Sequence, residues 1–281
     1  VAERSIIKER ARIKTPRWRS CTFGLLVGSI PILLLLLLPL VALVFRLQPA
    51  ALLENIRESN VQRAVALSLA TSLITVVAGV LLGTPLAYLL ARRQFRGRNA
   101  LDTLIDLPMV LPPSVAGIAL LMAFGRRGLV GQYLSDVGVS IAFSQTAVVL
   151  AQIFVAVPFY IKTAAAGFAE VDRDLEQAAA VDGADALRVF WHITLPLART
   201  ALITGAVLTW ARALGEFGAT IIFAGNFPGR TQTMPLAIYI GFELDLTIAL
   251  TLSAILLAIS FSILFLVKRV FQRSVTTTRL R

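Results

Sequence analysis

Residues 174–196 read DLEQAAAVDGADALRVFWHITLP, a polar, alanine-dense segment with one central glycine, set between two stretches of almost pure hydrocarbon at 144–166 and 197–223. Asp172 and Asp174 are good helix starters, Leu175, Ala178 and Ala179 follow at helical spacing, and Gly183 breaks the run. A second short helix from Ala184 would set Leu187, Phe190 and Trp191 to one side and Asp185 and Arg188 toward water, before Pro196 opens the next apolar run. The pattern leaves two readings open. One is an amphipathic hairpin lying on the membrane or on its own bundle. The other is a docking element, whose small alanines admit a partner closely while leucine and aromatic side chains anchor it in a groove.

The apolar flanks recur along the whole chain. Of its 281 residues 57% are hydrophobic and only 15% charged, with a mean hydropathy of +0.79, values outside the range of soluble domains. Runs of about 20 residues, the length that crosses a bilayer, read at 23–45, 65–91, 104–124, 144–166, 197–223 and 247–267. None alternates with the period of a barrel strand, and backbone groups in lipid must be satisfied internally. The expected fold is therefore an all-α polytopic membrane protein with six transmembrane helices, spanning residues 23–267, with the polar segment at about 170–196 between the fourth and fifth. A basic arm at 1–22 and a basic tail at 268–281 flank it. The first run is longer than a signal-peptide core and lacks a small-residue cleavage pattern, so it reads as a retained span.

A net charge of +11 invites a nucleic-acid reading, but the cations sit in alternate connections. Twenty fall in the arm, the tail, the second-to-third connection and the fourth-to-fifth connection, where Lys162, Arg173, Arg188 and Arg199 are counted. Six fall on the other side: Arg46, Arg57, Arg63, Arg126, Arg127 and Arg230. By the positive-inside rule both termini and the 174–196 segment are cytoplasmic, and no nucleic-acid partner is implied.

Missing features narrow the class. A single Cys21 and a single His192 exclude an internal disulfide and a histidine-based metal site. No GxxxxGK[ST] phosphate loop occurs, so the chain does not bind ATP by that device. No nucleophile and base stand together, and no catalytic residue is assigned. Ion-coupled carriers keep ionisable groups inside the bilayer, and the spans here hold one clear pair, Arg212 and Glu216. A passive pore stays open, although no selectivity sequence of the potassium-channel kind is visible.

Three places could shape a path. Pro108, Pro112 and Pro113 remove backbone donors in the third span, so the helix must bend or start late, and Gly117 permits close packing beyond; a path-lining bend and a merely structural kink both fit. Arg212 and Glu216, four apart, share a helix face, and either neutralise each other or set a cation beside an anion path. Gly205, Gly215 and Gly218 suit that span to close packing. In the outer connection Arg230, Thr231, Gln232 and Thr233 form a polar cluster, either a solvated loop or a docking surface.

The 174–196 segment resembles the cytoplasmic EAA signature of permease subunits of binding-protein-dependent ABC importers, in which E-A-A, three residues, G, nine residues and I-x-L-P recur. Gln177, Ala178 and Ala179 fall on E-A-A, Gly183 on the glycine, and Ile193, Leu195 and Pro196 on I-x-L-P; the glutamate position carries Gln, with Glu176 one residue earlier. Residues 107–131 (LPMVLPPSVAGIALLMAFGRRGLVG), 211–225 (ARALGEFGATIIFAG) and 228–239 (PGRTQTMPLAIY) are similar to the molybdate/tungstate permeases, with sulfate permeases next. The resemblance implies a transport subunit, not an enzyme, in the inner membrane. It would pair with a second copy of itself, two ATP-binding subunits and an extracytoplasmic substrate-binding protein, with ATP and Mg held by the partner. It makes residues 176–179, Gly183, Leu187, Phe190, Ile193, Leu195 and Pro196 the coupling segment, and places Pro112, Pro113, Gly117, Arg212 and Glu216 along the translocation path. A sulfate or other oxyanion permease is the alternative, and a stand-alone channel or carrier a more distant one.

Overall fold

The computed structural model describes residues 18–278. Residues 1–17 of the expected basic arm and 279–281 of the basic tail lie outside the described residues. Helix α1 (Trp18–Phe45) is a unit by itself. From Val27 to Phe45 it is long and apolar enough to cross a bilayer, and its leucine run 33–38 is exposed on all sides, as suits a surface facing lipid.

The second unit runs from Gln48 onward. It comprises α2 (Pro49–Asn55), α3 (Ser59–Arg92), α4 (Arg98–Val110), α5 (Pro113–Phe124), α6 (Gly131–Asp136), α7 (Gln145–Glu170), α8 (Arg173–Val181), α9 (Ala186–Leu214), α10 (Gly218–Phe223), α11 (Met234–Leu244) and α12 (Leu246–Thr278). Helix α7 is the axis: α3 and α9 both lie along it, α10 packs on α5, and α11 on α12. Between hydrocarbon-coated helices in lipid, close packing and hydrogen bonds replace the hydrophobic drive, and the contact faces are built accordingly. On α3 the buried residues Ala64, Ser68, Thr71, Thr75, Gly79, Gly83 and Ala87 form a small-residue stripe at three-to-four spacing. A Cβ on Gly79 would come within 2.9 Å of Val157, and one on Gly83 within 3.0 Å of Tyr160. Polar clasps cross the same faces: Thr75 Oγ1 donates to Gln152 Oε1 at 3.1 Å, Thr84 and Tyr160 share a hydroxyl bond of 2.6 Å, and Thr209 Oγ1 donates to the Ala156 carbonyl at 3.2 Å.

The expected all-helical, multi-span fold holds, with five helices long and apolar enough to span among the described residues and a bent pair as the sixth. The elements differ in detail from the expected runs. The bend expected in the third span from its prolines takes the form of a break, with α4 and α5 meeting at 116°. Leu111 precedes a proline and is driven out of the α region, and Pro113 can only begin a new helix. The fifth span does not start at Leu197; α9 begins at Ala186 and runs past Pro196 without a break. A wide turn at Phe190–Thr194, with Leu195 N donating to the Phe190 carbonyl, loosens the helix just ahead of the proline ring. Nor does that span reach Phe223: it stops at Leu214, and Gly215, Glu216 and Phe217 separate it from α10. Lys162, expected in a connection, lies inside α7, where Nζ donates to Asp102 at 2.9 Å and to Asp106 at 3.0 Å and ties α4 to the axis.

Candidate functional site

The elbow between α7 and α9 is built by local capping. Asp172 Oδ1 accepts from Asp174 N at 3.0 Å and starts α8; Asp185 Oδ1 accepts from Arg188 N at 2.8 Å and starts α9. Between them Gly183 adopts φ +87°, and Ala184 N returns to the Ala179 carbonyl at 3.0 Å, closing the turn in the left-handed conformation that glycine takes freely. A Cβ there would meet nothing within 4 Å, so the demand for glycine is conformational rather than steric.

The exposed face of this elbow carries Gln177 and Ala178, with Leu187 68% and Trp191 56% exposed, while Ala179, Ile193 and Leu195 are half-buried and Pro196 is exposed. Phe190, expected beside Leu187 and Trp191 as an anchor for a partner, turns inward. Its ring lies 5.0 Å from Tyr88 and 6.1 Å from Phe168, because the wide turn at 190–194 carries it onto the bundle. Glu176 is also an internal strut. Its Oε1 accepts from Arg92 Nη2 at 2.8 Å and from Thr194 Oγ1 at 2.6 Å, and Arg92 Nη2 donates as well to the Val171 carbonyl at 2.9 Å. The pair is largely buried, the side chains being 7% and 17% exposed. One carboxylate thus joins the elbow to the end of α3 and the start of α9. Neither Arg92 nor Thr194 was singled out from sequence; a partner 84 residues away leaves no local trace.

A second cluster forms where the two broken spans meet. A Cβ on Gly117 would stand 2.9 Å from both the Ala219 carbonyl and Ile222, and one on Gly218 would stand 2.6 Å from Pro113. Pro113 and Gly117 on α5 therefore seat α10 at backbone contact, with Pro112 exposed at the kink. Glu216 is 1% exposed; Oε1 accepts from Ala219 N at 2.9 Å and caps α10, while Oε2 lies 2.6 Å from Arg212 Nη1 in an ion-pair contact without hydrogen-bond alignment. The Arg212 side chain is 31% exposed. The structure thus brings Pro113, Gly117, Arg212 and Glu216 together, and the pair neutralises a charge that would otherwise be stranded.

At the other end, the expected polar cluster separates. Thr231 and Thr233 are buried. Thr231 Oγ1 accepts from Phe227 N at 3.1 Å and donates to the Gly225 carbonyl at 3.3 Å, so it braces a tight turn whose backbone groups would otherwise go unpaired. Arg230 stays exposed and Gln232 is half-buried. Among the described residues no group of His, Cys, Asp or Glu side chains is placed to hold a metal.

Long apolar helices clasped by small-residue faces, two of them interrupted where they touch, define a polytopic helical membrane protein. Residues 79–276 match the family described as the binding-protein-dependent transport system inner membrane component, and the chain belongs to that family. It is 42% identical over 245 residues to the molybdenum transport system permease protein ModB of Mycobacterium tuberculosis, covering 87% of this chain and 90% of that one. It is 39% identical over 184 residues to the sulfate transport system permease protein CysW of Synechococcus elongatus, covering 66% and 64%. The fold matches a chain of a bacterial ABC transporter involved in alginate import, with a TM-score of 0.71 at 18% identity over 90% of this chain and 95% of that one. The chain is a multi-pass inner-membrane permease subunit, and its relatives are transport components rather than enzymes.

Proposed function

We propose that this permease subunit forms the path of an ATP-driven importer of molybdate or tungstate. Two copies would work with two ATP-binding subunits and an extracytoplasmic substrate-binding protein. The observation that carries the substrate is the 42% identity to a molybdenum permease across nearly the whole chain. Both termini and the α8 elbow face the cytoplasm, in keeping with the cation count. ATP and Mg sit on the partner; this chain binds no cofactor.

The strut supplies the mechanics. When ATP draws the partner subunits together, the force on α8 passes through Glu176 to Arg92 on α3 and to Thr194 on α9. Arg212 stands in the last turn of α9 and pairs with Glu216, which caps α10 where it contacts α5, so a rigid tilt of α9 moves both breaks together. A half-exposed Arg212 lowers the barrier for a dianion, and the adjoining Glu216 keeps the site from holding it tightly. Arg230, on the outer turn, faces the arriving binding protein.

Uptake into proteoliposomes holding the whole complex, with molybdate, tungstate and sulfate in competition, tests the reading. Molybdate or tungstate should enter in an ATP-dependent way and sulfate should compete poorly. Preferential sulfate uptake would move the chain to its other relatives, and ATP-independent flux would end the importer reading.

A further inference from the structure

A pocket of about 340 Å³ opens beside the strut, between the end of α3 and the α8 elbow. Its charged lining is Arg92, Arg93, Arg173 and Glu176. Glu176 is already engaged by Arg92, and neither Arg93 nor Arg173 has an ion-pair partner among the described residues. The pocket therefore presents two exposed, uncompensated guanidinium groups. Ala180, Ala184 and Ala186 form a low apolar wall opposite them. Glu176 is the one carboxylate that lines this pocket; Glu170 and Asp172 line a separate cavity between α7 and α9, and Asp185 lies 3.9 Å from Arg188.

We propose that this pocket receives an acidic side chain of the ATP-binding subunit, so that the elbow docks by accepting a carboxylate into itself as well as by inserting into its partner. The inference rests on the importer reading above. Size argues against a free inorganic anion: at about 340 Å³ and open to solvent, the pocket is far larger than one oxyanion, which would remain hydrated in it. A partner helix, by contrast, can lay an apolar flank on the alanine wall while its Asp or Glu reaches the guanidinium forks, whose planar donors match a carboxylate. Glu176, spent on the internal strut, offers the partner no anion, and Gln177 beside it carries no charge.

The test uses the assembled importer, co-expressed with its ATP-binding subunit and purified in mild detergent. Arg93→Glu with Arg173→Glu should weaken retention of that subunit about tenfold and flatten its salt dependence. Arg93→Gln with Arg173→Gln should give a smaller loss, which keeps the test usable if the reversed pair misfolds. A photo-crosslinking residue at position 177 should capture a peptide of the ATP-binding subunit containing Asp or Glu, and converting that carboxylate to Arg should restore binding to the reversed variant. Full retention and full coupling in both variants would overturn the proposal. So would loss of a bound anionic phospholipid from the reversed variant, seen by native mass spectrometry, with the ATP-binding subunit still held. If the unmodified chain itself fails to hold an ATP-binding subunit, the importer reading falls rather than the pocket.

Discussion

Replacing Arg92 by Met keeps most of the aliphatic stem and deletes the guanidinium, so it isolates the strut. Two bonds vanish, those to Glu176 and to the Val171 carbonyl, while Glu176 keeps Thr194. Breaking a fully buried ion pair costs about 3–5 kcal/mol. Here the Glu176 side chain is 17% exposed and can turn partly to water, which brings the expected cost to about 2–3 kcal/mol. If that energy holds α8 against the bundle, the amides of α8 should lose about 30- to 150-fold of their hydrogen-exchange protection, because each 1.4 kcal/mol is tenfold. The amides of α7 should be unchanged. Uptake per ATP hydrolysed in proteoliposomes should fall with it. The double change Arg92→Met with Glu176→Met removes the stranded charge, so protection should return to within about tenfold of the parent while coupling stays poor, since two apolar side chains fix no geometry. Parental exchange in α8 of the single variant, or full coupling in the double one, would refute the strut as the transmitting element.

Gly183→Val should lower ATP-driven uptake and elbow protection while leaving membrane insertion intact; at φ +87° the left-handed backbone costs a side chain about 1–2 kcal/mol, and thermal unfolding with uptake reads both effects. Arg212→Met strands Glu216 and should destabilise by about 3–5 kcal/mol, whereas adding Glu216→Met should recover much of it, less the lost cap on Ala219 N; a folded but slow double variant would assign Arg212 to the path, and normal uptake would leave the pair purely structural. Gly117→Ala places a methyl 2.9 Å from the Ala219 carbonyl and Ile222, and should lower stability by about 1–3 kcal/mol in a thermal assay in detergent, since neither neighbour is a flexible tip.

The spans were legible because hydrocarbon length is written directly in the sequence, and the third-span break because Pro112 and Pro113 permit no other backbone. The fifth span was misplaced at both ends for the same reason: hydropathy does not register where a helix changes its hydrogen bonding. The wide turn at 190–194 carries α9 smoothly out of a polar segment, and the Glu216 carboxylate ends one helix and caps the next inside an apolar run. The elbow was legible through Gly183 and its two aspartate caps, which act locally. Its strut was not, because Arg92 looks like one more orientation-setting cation until folding brings Glu176 to it. Thr231 looked like a surface hydrogen-bonder, and the burial that turned it into a brace is a tertiary fact. The stripe on α3 had a readable signal, small residues recurring every three or four positions, that apolar content alone conceals.

Helix α9 is the least apolar of the five long helices and carries Arg188, Arg199 and Arg212. An arginine at the middle of a nascent segment costs about 2.5–3.5 kcal/mol on entering the bilayer, so α9 is poorly suited to leave the translocon as an isolated helix. What makes its entry favourable is a seat already in place: α7 presents Gly167 to Ala201, and its Ala156 carbonyl takes the Thr209 hydroxyl. The chain is synthesised in the order that provides this, α3 and α7 before α9. A rearranged gene that delivered α9 ahead of α7 would ask the membrane to hold this helix before that seat exists, and quality control would meet the chain at that step.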